Sequence, residues 1–125
     1  MYELSVELSF SAAHCLEGHP GRCANLHGHN YRVIVVAGGE RLNEHEMLID
    51  FGDLKEICTR VIDPLDHTML NELDVLANRN PTAEALAEHI YERIADRLSG
   101  AAHDHVRLLR VTVYESERSY ATYWR

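Results

Sequence analysis

At 125 residues the chain has room for one domain, spanning 1–125, large enough to bury a core and too short for two. Twelve basic against twenty acidic side chains leave a net charge of −8, with no Lys/Arg cluster in the sequence to relieve it, so nucleic acid is not expected as a partner. The longest apolar run, Val33 to Ala37, is too short to span a bilayer, and MYELSVELSF lacks the character of a secretion signal. The expectations are no membrane, a cytoplasmic location, and free thiols at Cys15, Cys23 and Cys58.

Tyr2, Leu4, Val6, Leu8 and Phe10 alternate with Glu3, Ser5, Glu7 and Ser9, the period of a strand with one buried face. Gly18, Pro20 and Gly21 mark a loop. A second β-rich stretch runs from His27 to Ala37 and stops at Gly38-Gly39. The piece MLID, Met47 to Asp50, reads as a short third apolar stretch leading into a helix. There Asp53 with Glu56 resembles a capping box, and Leu54, Ile57, Cys58, Val61 and Ile62 form the apolar face.

A second helix follows, with Asn80 as its cap, Pro81 in its first turn and Gly100 at its end. Leu86, Ile90, Ile94 and Leu98 make its buried stripe. Val106 to Glu115 and Ser119 to Trp124 then alternate as a final hairpin. This order predicts an α+β fold: an antiparallel four-stranded sheet with two helices packed on one face.

The stretch RCANLHGHNY concentrates the chemistry. Residues two apart on a strand point the same way, so His27 and His29 project together. His14 closes the first strand, and if the two strands are antiparallel neighbours the three imidazoles converge. Three neutral imidazoles with an open position make a catalytic zinc site. Two arrangements stay open for Cys23: fourth ligand of a closed structural site, or free thiol beside the metal, activated by the cation.

Two further places carry chemistry. Asp66 beside His67, in DPLDHTMLN, is an acid–histidine pair of the kind that tunes a proton shuttle. Neighbours in sequence do not easily bond side chain to side chain, which favours a turn role. Glu115 shares strand parity with Leu109, Val111 and Val113, so its carboxylate points inward and needs a partner with N–H donors; a frayed, solvated strand end is the alternative. His103 and His105, a second His-X-His, lie in a connector without a third ligand and read as exposed. Cys15 reads as a packed thiol.

Taken together, FSAAH, CANLHGHNY, LIDFGDLK, LDHTMLN, NPTAE and VYES, in that order, resemble the 6-pyruvoyl-tetrahydropterin synthase family nearly end to end. The Cys-X3-His-Gly-His spacing resembles its 6-carboxytetrahydropterin synthase branch, from queuosine biosynthesis. The resemblance implies Zn2+ on His14, His27 and His29, with Cys23 as proton acceptor. It implies relay and pterin-anchoring roles for Asp66, His67 and Glu115, and substrate contacts at Thr82 and Glu84. The implied reaction converts 7,8-dihydroneopterin triphosphate to 6-carboxy-5,6,7,8-tetrahydropterin, releasing acetaldehyde and triphosphate. His19, Arg22 and Arg118 are candidates to meet that triphosphate. The implied assembly is a tunnelling fold, three sheets closing into a barrel and two barrels stacking as a homohexamer, with sites between subunits. Alternatives are a pyruvoyl-type synthase, an aldolase acting on the same substrate, or a non-catalytic pterin-binding protein.

Overall fold

Two long strands carry the architecture. In the computed structural model, which describes residues 1–125, β1 (Tyr2–His14) and β2 (His27–Gly39) pair antiparallel from Tyr2 opposite Gly39 to His14 opposite His27. Val6, Phe10 and Ala12 of β1 and Tyr31, Val33 and Val35 of β2 are buried on the same face. The period-2 pattern of the sequence therefore sets this face directly.

The sheet has five strands in the order β3-β1-β2-β4-β5, where four were expected. The additional strand is the two-residue β3 (Thr68–Met69), parallel to β1 at Ala12 and Ala13. It docks because the residues before it grip β1: the Asp66 carboxylate accepts the Ser11 N–H at 2.9 Å, and the His67 N–H donates to the Ser11 carbonyl at 2.6 Å. Two residues carry no detectable period, so the sequence pattern does not reveal such a strand. The MLID piece forms no strand; Leu48 and Ile49 are buried, and the Leu48 carbonyl is bonded by the His105 ring at 2.8 Å.

The cap of helix α1 (Phe51–Ile62) lies three residues before the expected one. Asp50, not Asp53, is the N-cap, and its carboxylate accepts the Gly52 and Asp53 N–H groups. Leu54, Cys58, Val61 and Ile62 are buried as the periodicity requires, and burial pushes the Cys58 thiol up to about 12. In α2 (Ala83–Leu98) the cap is Thr82, whose hydroxyl accepts the Ala85 N–H at 3.1 Å, while Ser99 closes the helix before Gly100 at φ 126°. Asn80 is thereby free for another task. Leu86, Ile90 and Ile94 are fully buried and Leu98 nearly so.

The strands β4 (Arg107–Tyr114) and β5 (Tyr120–Tyr123) complete the sheet. A bulge between Val36 and Ala37 shifts the β2–β4 register, so Val36 faces Arg110 while Ala37 faces Leu108. This resets side-chain parity: Leu108 is buried with Val111 and Val113, and Leu109, expected inside, is only half-buried. His103 and His105 are half-buried, not exposed.

The two candidate caps of α1 can be separated by urea unfolding. Asp50→Ala should cost about 1 kcal/mol, the usual loss for an N-cap side chain. Asp53→Ala, removing only a first-turn charge, should cost roughly 0.3–1 kcal/mol or less.

Candidate metal centre

His14 and His27 are cross-strand neighbours at the last rung of β1–β2, and His29, opposite Ala12, lies on the same face. The Glu115 carboxylate, just beyond β4, completes a group whose ligand atoms all lie within 4.8 Å of one another. His14 Nε2 is 3.0 Å from His27 Nε2 and 3.3 Å from Glu115 Oε1; His29 Nε2 is 2.9 Å from the same oxygen.

The ring orientations reveal what these atoms are. His14 Nδ1 donates to the Pro81 carbonyl at 2.7 Å, with the Tyr31 hydroxyl at 3.3 Å, and His27 Nδ1 donates to the Asn25 carbonyl at 2.6 Å. A neutral imidazole has one N–H, so both Nε2 atoms present lone pairs to each other. Buried His29 Nε2 has no hydrogen-bond partner; its approach to Glu115 is close but misdirected. Burial first, and then the neighbouring His14 and His27, hold the His29 pKa below the ordinary imidazole value, while Glu115 opposes them. Acceptors crowded together without protons need a cation. Tetrahedral zinc, with bonds of about 2.0–2.2 Å to nitrogen and oxygen, spaces its ligands roughly 3.3–3.4 Å apart, close to the separations here. The donor set fits such an ion.

Cys23 is not the fourth member. It is half-buried in a short 3-10 turn, Arg22–Ala24, outside the ligand cluster, and its carbonyl accepts the Leu16 N–H at 2.8 Å. The Glu115 carboxylate, read from the sequence as pointing inward, lies beside the histidines. Asp66 and His67 do come together side chain to side chain, Oδ2 lying 2.9 Å from Nδ1. His67 adopts φ 56°, and its ring lies back against its neighbour. The Ser11 N–H, then His67, hold the Asp66 carboxyl below the usual carboxylate range. The His67 ring is largely exposed, in a hollow of about 490 Å³ that it shares with His29. Thr82 is committed to its cap, whereas Glu84 is exposed in the first turn of α2. His19, Arg22 and Arg118 are all exposed.

The sequence reading missed the supports. Asn71 grips both backbone groups of Cys15, accepting its N–H at 3.0 Å and donating to its carbonyl at 2.8 Å. Asn80 does the same for Glu17, at 2.9 Å each way. The two amides extend the ladder of β1 past His14, toward the loop that carries Cys23. Both residues stand within the motifs quoted above, but nothing in their type marks them as clasps.

Residues 3–125 match the family described as 6-pyruvoyl tetrahydropterin synthase. The chain belongs to that family. A Haemophilus influenzae relative named 6-carboxy-5,6,7,8-tetrahydropterin synthase is 38% identical, over 75% of this chain and 82% of its own. A Bacillus subtilis relative of the same name is 30% identical, over 98% of this chain and 84% of its own. The solved structure of Caenorhabditis elegans 6-pyruvoyl tetrahydropterin synthase superposes with a TM-score of 0.86 at 28% identity, covering 99% and 95% of the two chains. The five-stranded α+β fold is therefore the fold of this family, and no helix is long and apolar enough to cross a membrane.

Two measurements probe the centre. His29→Ala should weaken zinc binding at least about tenfold in a competition titration, as loss of a ligand requires, while Cys23→Ala should leave it unchanged. In the metal-free protein, NMR titration should place His29 below the ordinary imidazole value. A depressed folded-state pKa means that the unfolded chain takes up its proton first on acidification. This residue's contribution to stability is therefore complete above about pH 6.5 and is lost as pH falls through the folded-state value.

Proposed function

We propose that the chain is a zinc-dependent 6-carboxy-5,6,7,8-tetrahydropterin synthase. In this reading it acts on 7,8-dihydroneopterin triphosphate, releases acetaldehyde and triphosphate, and serves the route to queuosine precursors. The supporting observation is the set of facing lone pairs of His14 and His27, with His29 and Glu115 beside them, in a chain whose relatives carry that name. The Cys-X3-His-Gly-His spacing favours this branch over the pyruvoyl one.

His14, His27 and His29 would hold the ion, with Glu115 adjacent, and when bound it would acidify the hydroxyls and neighbouring C–H of the substrate side chain. Cys23, held beside the strand end through Leu16, is the proton acceptor. Asp66 stays ionised, accepts from His67 Nδ1 and so leaves the opposite, solvent-facing nitrogen of that ring to carry a proton. Glu115 is the carboxylate that accepts from the amino edge of the pterin, with Glu84, exposed and without an ion pair, as a second contact. Thr82 contributes by capping the helix that presents Glu84.

Assembly belongs to the same reading. Between Tyr2 and Phe10 the outer edge of β1 has no strand partner, and β5 is the opposite edge of the sheet. Tyr2, Leu26, Tyr120 and Trp124 are exposed. Open edges flanked by apolar side chains are covered by joining other copies. Three sheets closing into a barrel, and two barrels stacking into a homohexamer, would also cover the exposed His67.

Incubation of the purified zinc protein with 7,8-dihydroneopterin triphosphate tests the activity by product identification. Expected are 6-carboxy-5,6,7,8-tetrahydropterin and acetaldehyde, with Cys23→Ala retaining zinc but losing turnover by about 100-fold or more. A 6-pyruvoyl product would move the chain to the other branch, and an unchanged substrate would leave a pterin-binding protein. Light scattering should report six chains.

A further inference from the structure

The helical surface remote from the metal centre holds a second cavity, of about 340 Å³. Arg60, from the last turn of α1, and His89, Arg93 and Arg97 of α2 line it, over an apolar floor whose exposed part is Pro64 and Val75. His89, Arg93 and Arg97 recur every four residues, so they form one row along a single helix face. Arg93 and Arg97 are like charges at that spacing and repel each other, an arrangement a chain with twenty acids could readily have neutralised. It has not done so. Asp96 is the only acid lining the cavity, and neither Arg93 nor Arg97 has a carboxylate within 4.0 Å. Arg60 is held by Glu56 at 3.1 Å, outside the row.

The half-buried His89 reports the local field independently. Burial first, then Arg93 and Arg79, hold its pKa below the ordinary imidazole value. The cavity is also distinct from the metal centre. Pro81, which touches His14, precedes His89 by eight residues and Arg97 by sixteen; at ~1.5 Å per residue the row lies about 12–24 Å along the helix. No residue of the cluster lines it.

We propose that this cavity binds a small phosphorylated ring compound of the nucleoside monophosphate class, with the phosphate on Arg93, Arg97 and Arg60 and the ring on Pro64 and Val75. The volume is at the small end of ligand cavities, enough for one such molecule. Guanidinium groups suit phosphate oxygens because their paired N–H donors match them two at a time. The apolar floor supplies the surface for a ring that a bare anion would leave uncovered. The hollow shape favours a small molecule over an acidic protein surface.

Calorimetric titration of the intact zinc protein with AMP, at low ionic strength, tests this directly. Adenosine and inorganic phosphate are titrated separately, and all three are repeated on Arg93→Ala/Arg97→Ala, whose side chains are exposed and dispensable for the core. AMP should bind the parent protein at least about tenfold more tightly than either part alone, and the double variant should lose about tenfold or more. Circular dichroism and zinc content should not change. Absence of heat with millimolar AMP, equal affinity in the variant, or phosphate binding as tightly as AMP would each overturn the proposal.

Discussion

The rest of the site depends on two nitrogen lone pairs aimed at each other. His14 Nε2 and His27 Nε2 face across 3.0 Å because each ring donates through Nδ1 to a backbone carbonyl, one to Pro81 and one to Asn25. In a folded protein with no cation between them, this contact would be repulsive and the rings would turn away. Backbone carbonyls prevent that turn, so part of the folding free energy is spent keeping a metal position ready. The Glu115 carboxylate adds the negative charge that would offset a divalent ion.

Much of the surrounding architecture serves this geometry. The thirteen-residue strands bring His14 and His27 to the same rung, and the loop before α2 supplies the carbonyl that orients His14. The segment from Asp66 to Asn71 runs beside β1 and holds it at Ser11, Ala12, Ala13 and Cys15. Asn80 then holds Glu17. The end of a strand normally frays; here side-chain carboxylate and amides substitute for a missing neighbour strand. Tyr31, buried against Phe10 at a ring separation of 4.7 Å, has its hydroxyl proton retained above the ordinary tyrosine range by burial and by Glu115.

Charge is arranged by function and not by composition. The chain is strongly acidic overall, yet its carboxylates are used at specific places: Asp66 between the Ser11 N–H and His67, Glu115 beside the histidine cluster, Asp50 as a helix cap. The row of His89, Arg93 and Arg97 runs against the global sign. Net charge sets the field that large partners meet at a distance, while the local field decides what a cavity accepts.

The sequence by itself determined the strand faces, the buried stripes of both helices, the convergence of His14, His27 and His29, and the family, because side-chain periodicity and residue type are local properties. Its misses share one cause. Thr82 instead of Asn80 as cap, the two-residue β3, the bulge that turned Leu108 inward, and the left-handed His67 that reaches Asp66 all depend on contacts between distant segments. So does Glu115: its inward parity was legible, but what it meets inside depends on where β4 lies relative to β2. Asn71 and Asn80 gave no signal at all, since an asparagine reads as a turn residue until tertiary structure brings a backbone within reach of both ends of its amide. Which atoms a polar side chain meets is a property of the folded chain, and only the tertiary structure decided it.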